Sequence, residues 1–167
     1  MQHLVFLQAD ALAKVLTHRK RVESRLWRGR LRHPCTAATA GDVLYFKRVG
    51  AGVEAIARVQ EVHAFTALHP HDIASLADRF AAAMACARDD PYWLAKRHSR
   101  EARFFWLAAV CPWHMPQEAV PRGVRMGWVA DWQPPAEADA TLLMPEMFPA
   151  PRQVAGDRVE QLPLLGD

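Results

Sequence analysis

The amino-acid sequence predicts an α+β protein, a small and mostly antiparallel β-barrel with peripheral helices and an extended C-terminal tail. The order of segments carries this prediction, because it runs strand, helix, strand, loop, hairpin, helical insertion and strand. Helices and strands do not alternate, as they would in a doubly wound parallel sheet. Six of the twelve prolines fall in the last 35 residues. We therefore expect one domain over residues 1–132 and a proline-rich tail over residues 133–167.

Short apolar or alternating segments predict the strands. The segment "HLVFLQ" is short and apolar, while "VLYFKRV" and "VEAIARVQEVHAF" flank a glycine turn and indicate a hairpin. The run "ARFFWLAAV" is strongly apolar, and "VPRGVRMGWVADW" suits a final strand or a loop. We expect the core strands at residues 4–7, 22–26, 43–47, 53–62 and 104–110.

Caps and apolar periodicity predict three helices. Asp10 can cap the first helix, His71 or Asp72 can cap the second, and Pro91 can open the third. The second helix carries an apolar stripe that we expect in the core, formed by Ile73, Leu76, Phe80 and Met84. In the tail, four apolar side chains are expected to pack against the domain, namely Leu142, Leu143, Met147 and Phe148.

Positive charge is concentrated in one segment near the N-terminus. Residues 14–32 contain eight basic side chains and one acidic side chain, Glu23, in a chain whose net charge is only +3. A basic patch on an otherwise acidic body indicates a polyanionic partner. The alternative is a solvated charged face without a partner. The basic residues are Lys14, Arg19, Lys20, Arg21, Arg25, Arg28, Arg30 and Arg32.

Two motifs in the chain resemble the ASCH domain family. The segment "HRKRVESR" places Lys20, Glu23 and Arg25 in the spacing K-x-x-E-x-R, and strand alternation puts Glu23 and Arg25 on one face. The family pattern is G-x-K-x-x-E-x-R, and "DDPYWLAKRHSREARFFWLAAV" resembles a stretch of its longer members. The resemblance covers residues 1–130 and implies a PUA-like barrel. It departs at His18, which occupies the position of the family glycine.

The resemblance implies binding of RNA, another single-stranded nucleic acid or a modified nucleotide in a basic cleft beside this motif. Lys20 and Arg25 would line the cleft, with Glu23 either reading a base amine or serving only as a salt bridge. Tyr92 would offer a ring for stacking, one helical turn from the charge of Lys96. Further binding candidates are Arg19, Arg28 and Lys47, which are basic residues near the motif or beside aromatic residues.

Two other classes of function stay open. The chain could be a hydrolase, either a ribonuclease or an amidohydrolase of the N4-acylcytidine type, with Lys20 and Glu23 as candidate catalytic residues. In the amidohydrolase pattern a threonine nucleophile occupies the position of Glu23, so that hydroxyl is replaced here. The third possibility is a protein-interaction module whose basic face meets an acidic protein.

Several features indicate what the protein does not use. Three widely spaced cysteines do not predict a disulfide framework. The histidines His63, His69 and His71 lack the spacing of a metal site, and we expect no metal and no cofactor. No apolar run reaches the length of a membrane span, and the N-terminus lacks a signal-peptide pattern. We therefore expect a cytoplasmic protein without membrane contact, and the sequence leaves its oligomeric state open.

Overall fold

A computed structural model describes residues 1–29, 31–122 and 124–148, with Arg125 described by its backbone alone. The strands are β1 (Gln2–Leu7), β2 (Val22–Trp27), β3 (Val43–Arg48), β4 (Val53–Phe65), β5 (Glu101–Met115) and β6 (Trp128–Val129). The α-helices are α1 (Ala9–Leu16), α2 (Pro70–Phe80), α3 (Pro91–Lys96) and α4 (Ala140–Leu143). Each of the five predicted core strands is confirmed, and β6 forms where the sequence allowed a strand or a loop.

The six strands form one curled, mixed sheet, a half-barrel in the order β2-β5-β4-β3-β1-β6. The pairing of β1 with β3 is parallel, and the other pairings are antiparallel. The register between β4 and β5 shifts three times between Val53 and Glu61. Such bulges bend long strands, which accounts for the curl. The prediction of a mostly antiparallel α+β barrel is thus confirmed.

Apolar side chains fill both faces of the sheet. One cluster includes Val5, Leu44 and Phe105 together with Leu12 and Val15 of α1, and we call the face that carries it the inner face. A second cluster joins the other face of β2 and β5 to α2 and α3. The apolar stripe predicted for α2 belongs to this second cluster, and Met84 beyond the helix does too. Burial on two faces is expected for a sheet covered by helices.

The helix starts differ from the predicted caps. Helix α1 begins after Gln8, so Asp10 lies in the first turn, where its carboxylate pairs with Lys14 at 2.7 Å. Helix α2 begins after His69, whose backbone N–H donates to the Asp72 carboxylate at 2.8 Å. The predicted caps of α1 and α2 were therefore wrong by two or three residues. Pro91 opens α3 as predicted, after Asp90.

The described part of the tail is folded back on the domain. It contains a 3-10 helix at Ala136–Ala138 and the short α4, whose first residue donates its backbone N–H to Tyr45 Oη at 2.7 Å. Phe148 is fully buried, as predicted. Leu142, Leu143 and Met147 are exposed instead, so the packing predicted for them was wrong. Residues 149–167 of the predicted tail lie outside the described residues.

Candidate functional site

Lys20, Glu23 and Arg25 meet on the inner face of β2, and we call them the Lys-Glu-Arg cluster. Lys20 Nζ lies 3.3 Å from Glu23 Oε2, and Arg25 Nη2 lies 3.0 Å from Glu23 Oε1. Only 8% of the Lys20 side chain, 4% of the Glu23 side chain and 17% of the Arg25 side chain are exposed. The predicted meeting of these three residues is confirmed. Because two cations share one carboxylate, the cluster keeps a formal charge of +1.

The turn between α1 and β2 delivers Lys20 to this cluster. His18 adopts a φ of 57°, a left-handed conformation that glycine adopts at lower cost. The backbone N–H of Lys20 then donates to the Lys14 carbonyl at 2.9 Å. The chain thereby reverses just before β2 begins at Val22. A histidine therefore adopts the positive φ at the position that glycine occupies in the family pattern.

Arg25 joins two strands that are not neighbours in the sheet. Its Nη2 donates to the Phe6 carbonyl of β1 at 3.1 Å, and its guanidinium carbon lies 5.6 Å from the Trp128 ring of β6. Strands β2 and β6 are the two ends of the six-stranded sheet. We call this junction between β2 and the β1–β6 pair the seam. Gly127 borders it with a φ of 65°, and a Cβ there would lie 3.2 Å from Arg25 Nη1.

His33 lies beside the cluster and was missed by the sequence analysis. It is buried, it caps the 3-10 helix Pro34–Ala37, and its Nδ1 accepts the Cys35 backbone N–H at 3.1 Å. Burial lowers its pKa to about 4, with a further contribution from the positive charge of Arg25. The residue before a proline that opens a helix is a recognisable cap position. That local signal could have identified the cap but not the influence of the Arg25 charge on the pKa of His33.

Tyr92 approaches the cluster from the other side of β2. Its hydroxyl lies 2.8 Å from Ser24 Oγ, and burial raises its pKa. Lys96 Nζ lies 6.0 Å from the centre of the Tyr92 ring. Burial lowers the pKa of Lys96, and the positive charge of Arg25 lowers it further. The predicted pairing of Tyr92 with Lys96 therefore exists at the edge of β2, while stacking on Tyr92 stays a prediction.

The other predicted binding residues separate into two groups. Arg19 and Arg28 are exposed at the two ends of β2, where they flank the cluster. Lys47 is fully buried, and its Nζ donates to the Ala51 carbonyl and lies 5.5 Å from the Phe6 ring centre. The prediction that Lys47 presents its charge to a ligand beside the motif was therefore wrong. Arg30, a member of the predicted basic patch, lies outside the described residues.

Two solved structures resemble the chain over most of its length. The structure of ASCH from Zymomonas mobilis shares 14% identity, covers 81% of this chain and 83% of that one, and superposes with a TM-score of 0.53. A point mutant of ZmASCH shares 11% identity, covers 78% and 91% of the two chains, and gives a TM-score of 0.52. This chain has an ASCH-like fold. No protein-family model matches its sequence, and no curated protein does.

In this ASCH-like chain, Glu23 holds its two basic neighbours in place through ion pairs. Each carboxylate oxygen of Glu23 already has a cationic partner, Oε1 with Arg25 and Oε2 with Lys20. A buried carboxylate paired in this way fixes the positions of both cations. Catalytic roles for Lys20 and Glu23, and base reading by Glu23, stay predictions.

The described part of the ASCH-like chain has neither a metal-binding cluster nor a disulfide. There, no group of three histidine, cysteine, aspartate or glutamate side chains could hold a metal ion. Cys35, Cys86 and Cys111 are free thiols, and burial raises the pKa of Cys35 to about 12. Within residues 1–29, 31–122 and 124–148, no helix combines the length and apolarity needed to cross a membrane.

Proposed function

We propose that this protein binds RNA or a modified nucleotide at the Lys-Glu-Arg cluster, with Lys20 and Arg25 holding an anionic phosphate. One observation carries the proposal. Two basic side chains are held within 3.3 Å of a single, nearly buried carboxylate and so keep a net positive charge at the seam. A partly desolvated cation attracts an anion more strongly than a cation in open solvent does.

Both cations keep hydrogen-bond donors for a ligand. Lysine has three N–H donors and arginine has five. The Glu23 carboxylate has only two oxygens to accept from both side chains. Arg25 Nε is buried without a hydrogen-bond partner among the described residues. A buried donor without a partner costs about 1–3 kcal/mol. A ligand that supplies acceptor oxygens at the seam would reduce that cost, which favours a phosphate or a base carbonyl.

The surroundings of the cluster support a polyanion in particular. Arg19 and Arg28 extend the positive charge beyond both ends of β2, and both are exposed to solvent. Tyr92 and Lys96 place an aromatic ring and a further charge at the edge of β2, where the charge of Arg25 lowers the pKa of Lys96. Interleaved basic and aromatic side chains are typical of surfaces that bind single-stranded nucleic acid.

Titration of a fluorescent single-stranded oligoribonucleotide at several salt concentrations tests this proposal. The apparent affinity should fall steeply between about 50 and 200 mM salt, because neutralised phosphates release counterions. The double variant Arg19→Gln and Arg28→Gln should bind more weakly. Its slope of log affinity against log salt should be shallower by about 1.4, which is two phosphate contacts at about 0.7 each for a single strand.

Arg48→Gln is the matched control. Arg48 is also an exposed arginine, but it pairs with Glu54 at the hairpin end of the sheet, so this variant should bind like the unmodified protein. Tyr92→Phe and Tyr92→Ala then separate the hydroxyl from the ring, and stacking predicts a loss only for Tyr92→Ala. Affinity that ignores salt, or an Arg48→Gln variant that loses as much affinity as the double variant, would exclude the proposal.

Analysis of the recovered oligonucleotide and of N4-acetylcytidine, each incubated with the protein, distinguishes binding from hydrolysis. Intact RNA and intact nucleoside are the expected result for a binding protein. Cleaved RNA would support the ribonuclease alternative, and released acetate would support the amidohydrolase alternative. Loss of either product in Glu23→Gln, with the fold retained, would assign the chemistry to the cluster.

A further inference from the structure

A second candidate binding site lies between α2 and α3, away from the Lys-Glu-Arg cluster. It is a pocket of about 190 Å³ with a mainly apolar floor. Ile73, Ala74 and Ala77 of α2 form one side, and the Trp93 indole of α3 forms the other. A cavity of about 150 Å³ is enough to hold a benzene ring. The volume therefore suits one ring or a short branched hydrocarbon group.

Helix periodicity explains why these side chains face one another. Residues 73, 74 and 77 lie on one face of α2, since positions three and four apart are neighbours on a helix. Trp93 and Arg97 share a face of α3 for the same reason, one residue along from Tyr92 and Lys96. The pocket therefore lies on a different face of α3 from Tyr92 and Lys96.

Two arginines, Arg88 and Arg97, complete the lining of the pocket. Arg88 pairs with Asp78 through its Nε, and its Nη2 donates to the same carboxylate at 3.2 Å. Arg97 donates its Nε to His98 Nε2 at 2.9 Å and forms no ion pair within the described part of the chain. The pocket thus offers one fixed guanidinium, already neutralised by Asp78, and one guanidinium free to bind an anion.

From this combination we infer that the pocket binds a small aromatic carboxylate, with its ring on the apolar floor and its carboxylate on Arg97. The floor lacks the donors and acceptors that the polar edges of a nucleobase require. The guanidinium of Arg97 can bind both carboxylate oxygens at once. This site is independent of the proposed RNA function, because it shares no residue with the cluster.

Fluorine NMR of the full-length protein with 4-fluorobenzoate provides the test. The ligand resonance should broaden on addition of protein, while 4-fluorobenzamide, which keeps the ring and loses the charge, should bind at least about tenfold more weakly. Acetate, which keeps the charge and loses the ring, should not displace 4-fluorobenzoate at equal concentration. Arg97→Gln should weaken binding of 4-fluorobenzoate about tenfold.

Ala74→Leu fills the pocket from an exposed position that tolerates a larger side chain. Leucine is a good helix former, so α2 should persist and binding of 4-fluorobenzoate should be lost. Arg48→Gln, an exposed arginine outside the pocket, should bind like the unmodified protein. Equal binding of the amide and the carboxylate, equal displacement by acetate, or full binding to Ala74→Leu would each overturn the inference.

Discussion

Two buried lysines at different parts of the sheet show opposite ways of accommodating a charge. Lys20 lies at the seam, where the Glu23 carboxylate is its partner. Lys47 lies near the hairpin end of β3, where a neutral backbone carbonyl, that of Ala51, is its partner. Burial lowers the pKa of Lys47. At the seam, a carboxylate therefore compensates the buried charge of the lysine. At the hairpin end, no anion among the described residues pairs with Lys47, and burial disfavours its charge.

A count of basic residues therefore does not locate a binding surface in this chain. Both lysines lie next to another basic residue in the sequence, and both are less than 10% exposed. Lys20 belongs to a group of two cations and one carboxylate with a formal charge of +1, whereas the partner of Lys47 is a neutral backbone carbonyl. Charge retained beside a carboxylate can act on a ligand, whereas a lysine held by a turn mainly stabilises that turn.

Removal of the Glu23 charge should change the free energy of unfolding more than any other substitution at the two lysine sites. Glu23→Gln leaves Lys20 and Arg25 as neighbouring buried cations without a compensating anion. Breaking a buried pair in this way costs about 3–5 kcal/mol, and we expect a loss of that size in the free energy of unfolding measured with urea.

Glu54→Gln is the control for Glu23→Gln, because it breaks the more exposed pair with Arg48. An exposed pair is worth less than about 1 kcal/mol, so this variant should unfold almost like the unmodified protein. Equal losses for Glu23→Gln and Glu54→Gln would show that the cluster is not a special electrostatic site.

A slightly smaller effect should appear with pH, through His33 beside Arg25. Its pKa is lowered to about 4 in the folded state from 6.5. Between these values the unfolded chain takes up a proton that the folded chain does not, so stability falls as pH falls from 6.5 to 4. The loss should approach about 3 kcal/mol, at about 1.36 kcal/mol per pKa unit, and urea unfolding at a series of pH values measures it.

His33→Asn isolates this titration, because asparagine can still cap the 3-10 helix but does not take up a proton. The stability of this variant should fall less between pH 6.5 and 4, because the contribution from protonation of His33 is absent. Hydrogen bonds with His3 and Thr39 lower the pKa of the Asp42 carboxyl group despite its burial. Asp42 therefore loses its contribution to stability at lower pH, below 3.8. Parallel pH profiles for both proteins would contradict the neutral, buried state of His33.

The smallest expected effect compares the two lysines directly. Lys47→Met keeps the volume of the side chain and removes a buried charge, so stability should change by less than about 1 kcal/mol. Lys20→Met leaves Glu23 with Arg25 alone and should cost about 2 kcal/mol more, given the usual cost of breaking a buried pair. Thermal or urea unfolding measures both losses, and a larger loss for Lys47→Met than for Lys20→Met would contradict this expectation.

The sequence predicted those features that interactions between nearby residues control. The strands were predicted because apolar alternation is set by the backbone itself, and the meeting of Glu23 with Arg25 followed from the same alternation. The caps of α1 and α2 were misplaced because several polar residues compete for one cap position. In each of these cases the decisive interactions lie within a few residues of one another.

Contacts that depend on closure of the sheet could not be predicted. Arg25 donates to Phe6, 19 residues away in the sequence, and the charge of Arg25 reaches His33 only because the chain after β2 returns to the inner face. Burial of Lys47 follows from its parallel pairing with Phe6, and parallel pairing leaves no short-range signal in a sequence. The exposure of Leu142 and Leu143 depends likewise on how the tail folds back.

The seam also determines where the sheet opens most easily by local fluctuation. Each neighbouring pair of strands in the sheet is held by a backbone ladder, but β2 and the β1–β6 pair are joined, among the described residues, by side chains such as Arg25. Side-chain contacts can separate one by one, whereas a ladder yields cooperatively. Arg25 thus links β2 to the β1–β6 pair across the open side of the half-barrel through side-chain contacts. Amide hydrogens along β2 should exchange with solvent earlier than those of β4, which has a strand on either side.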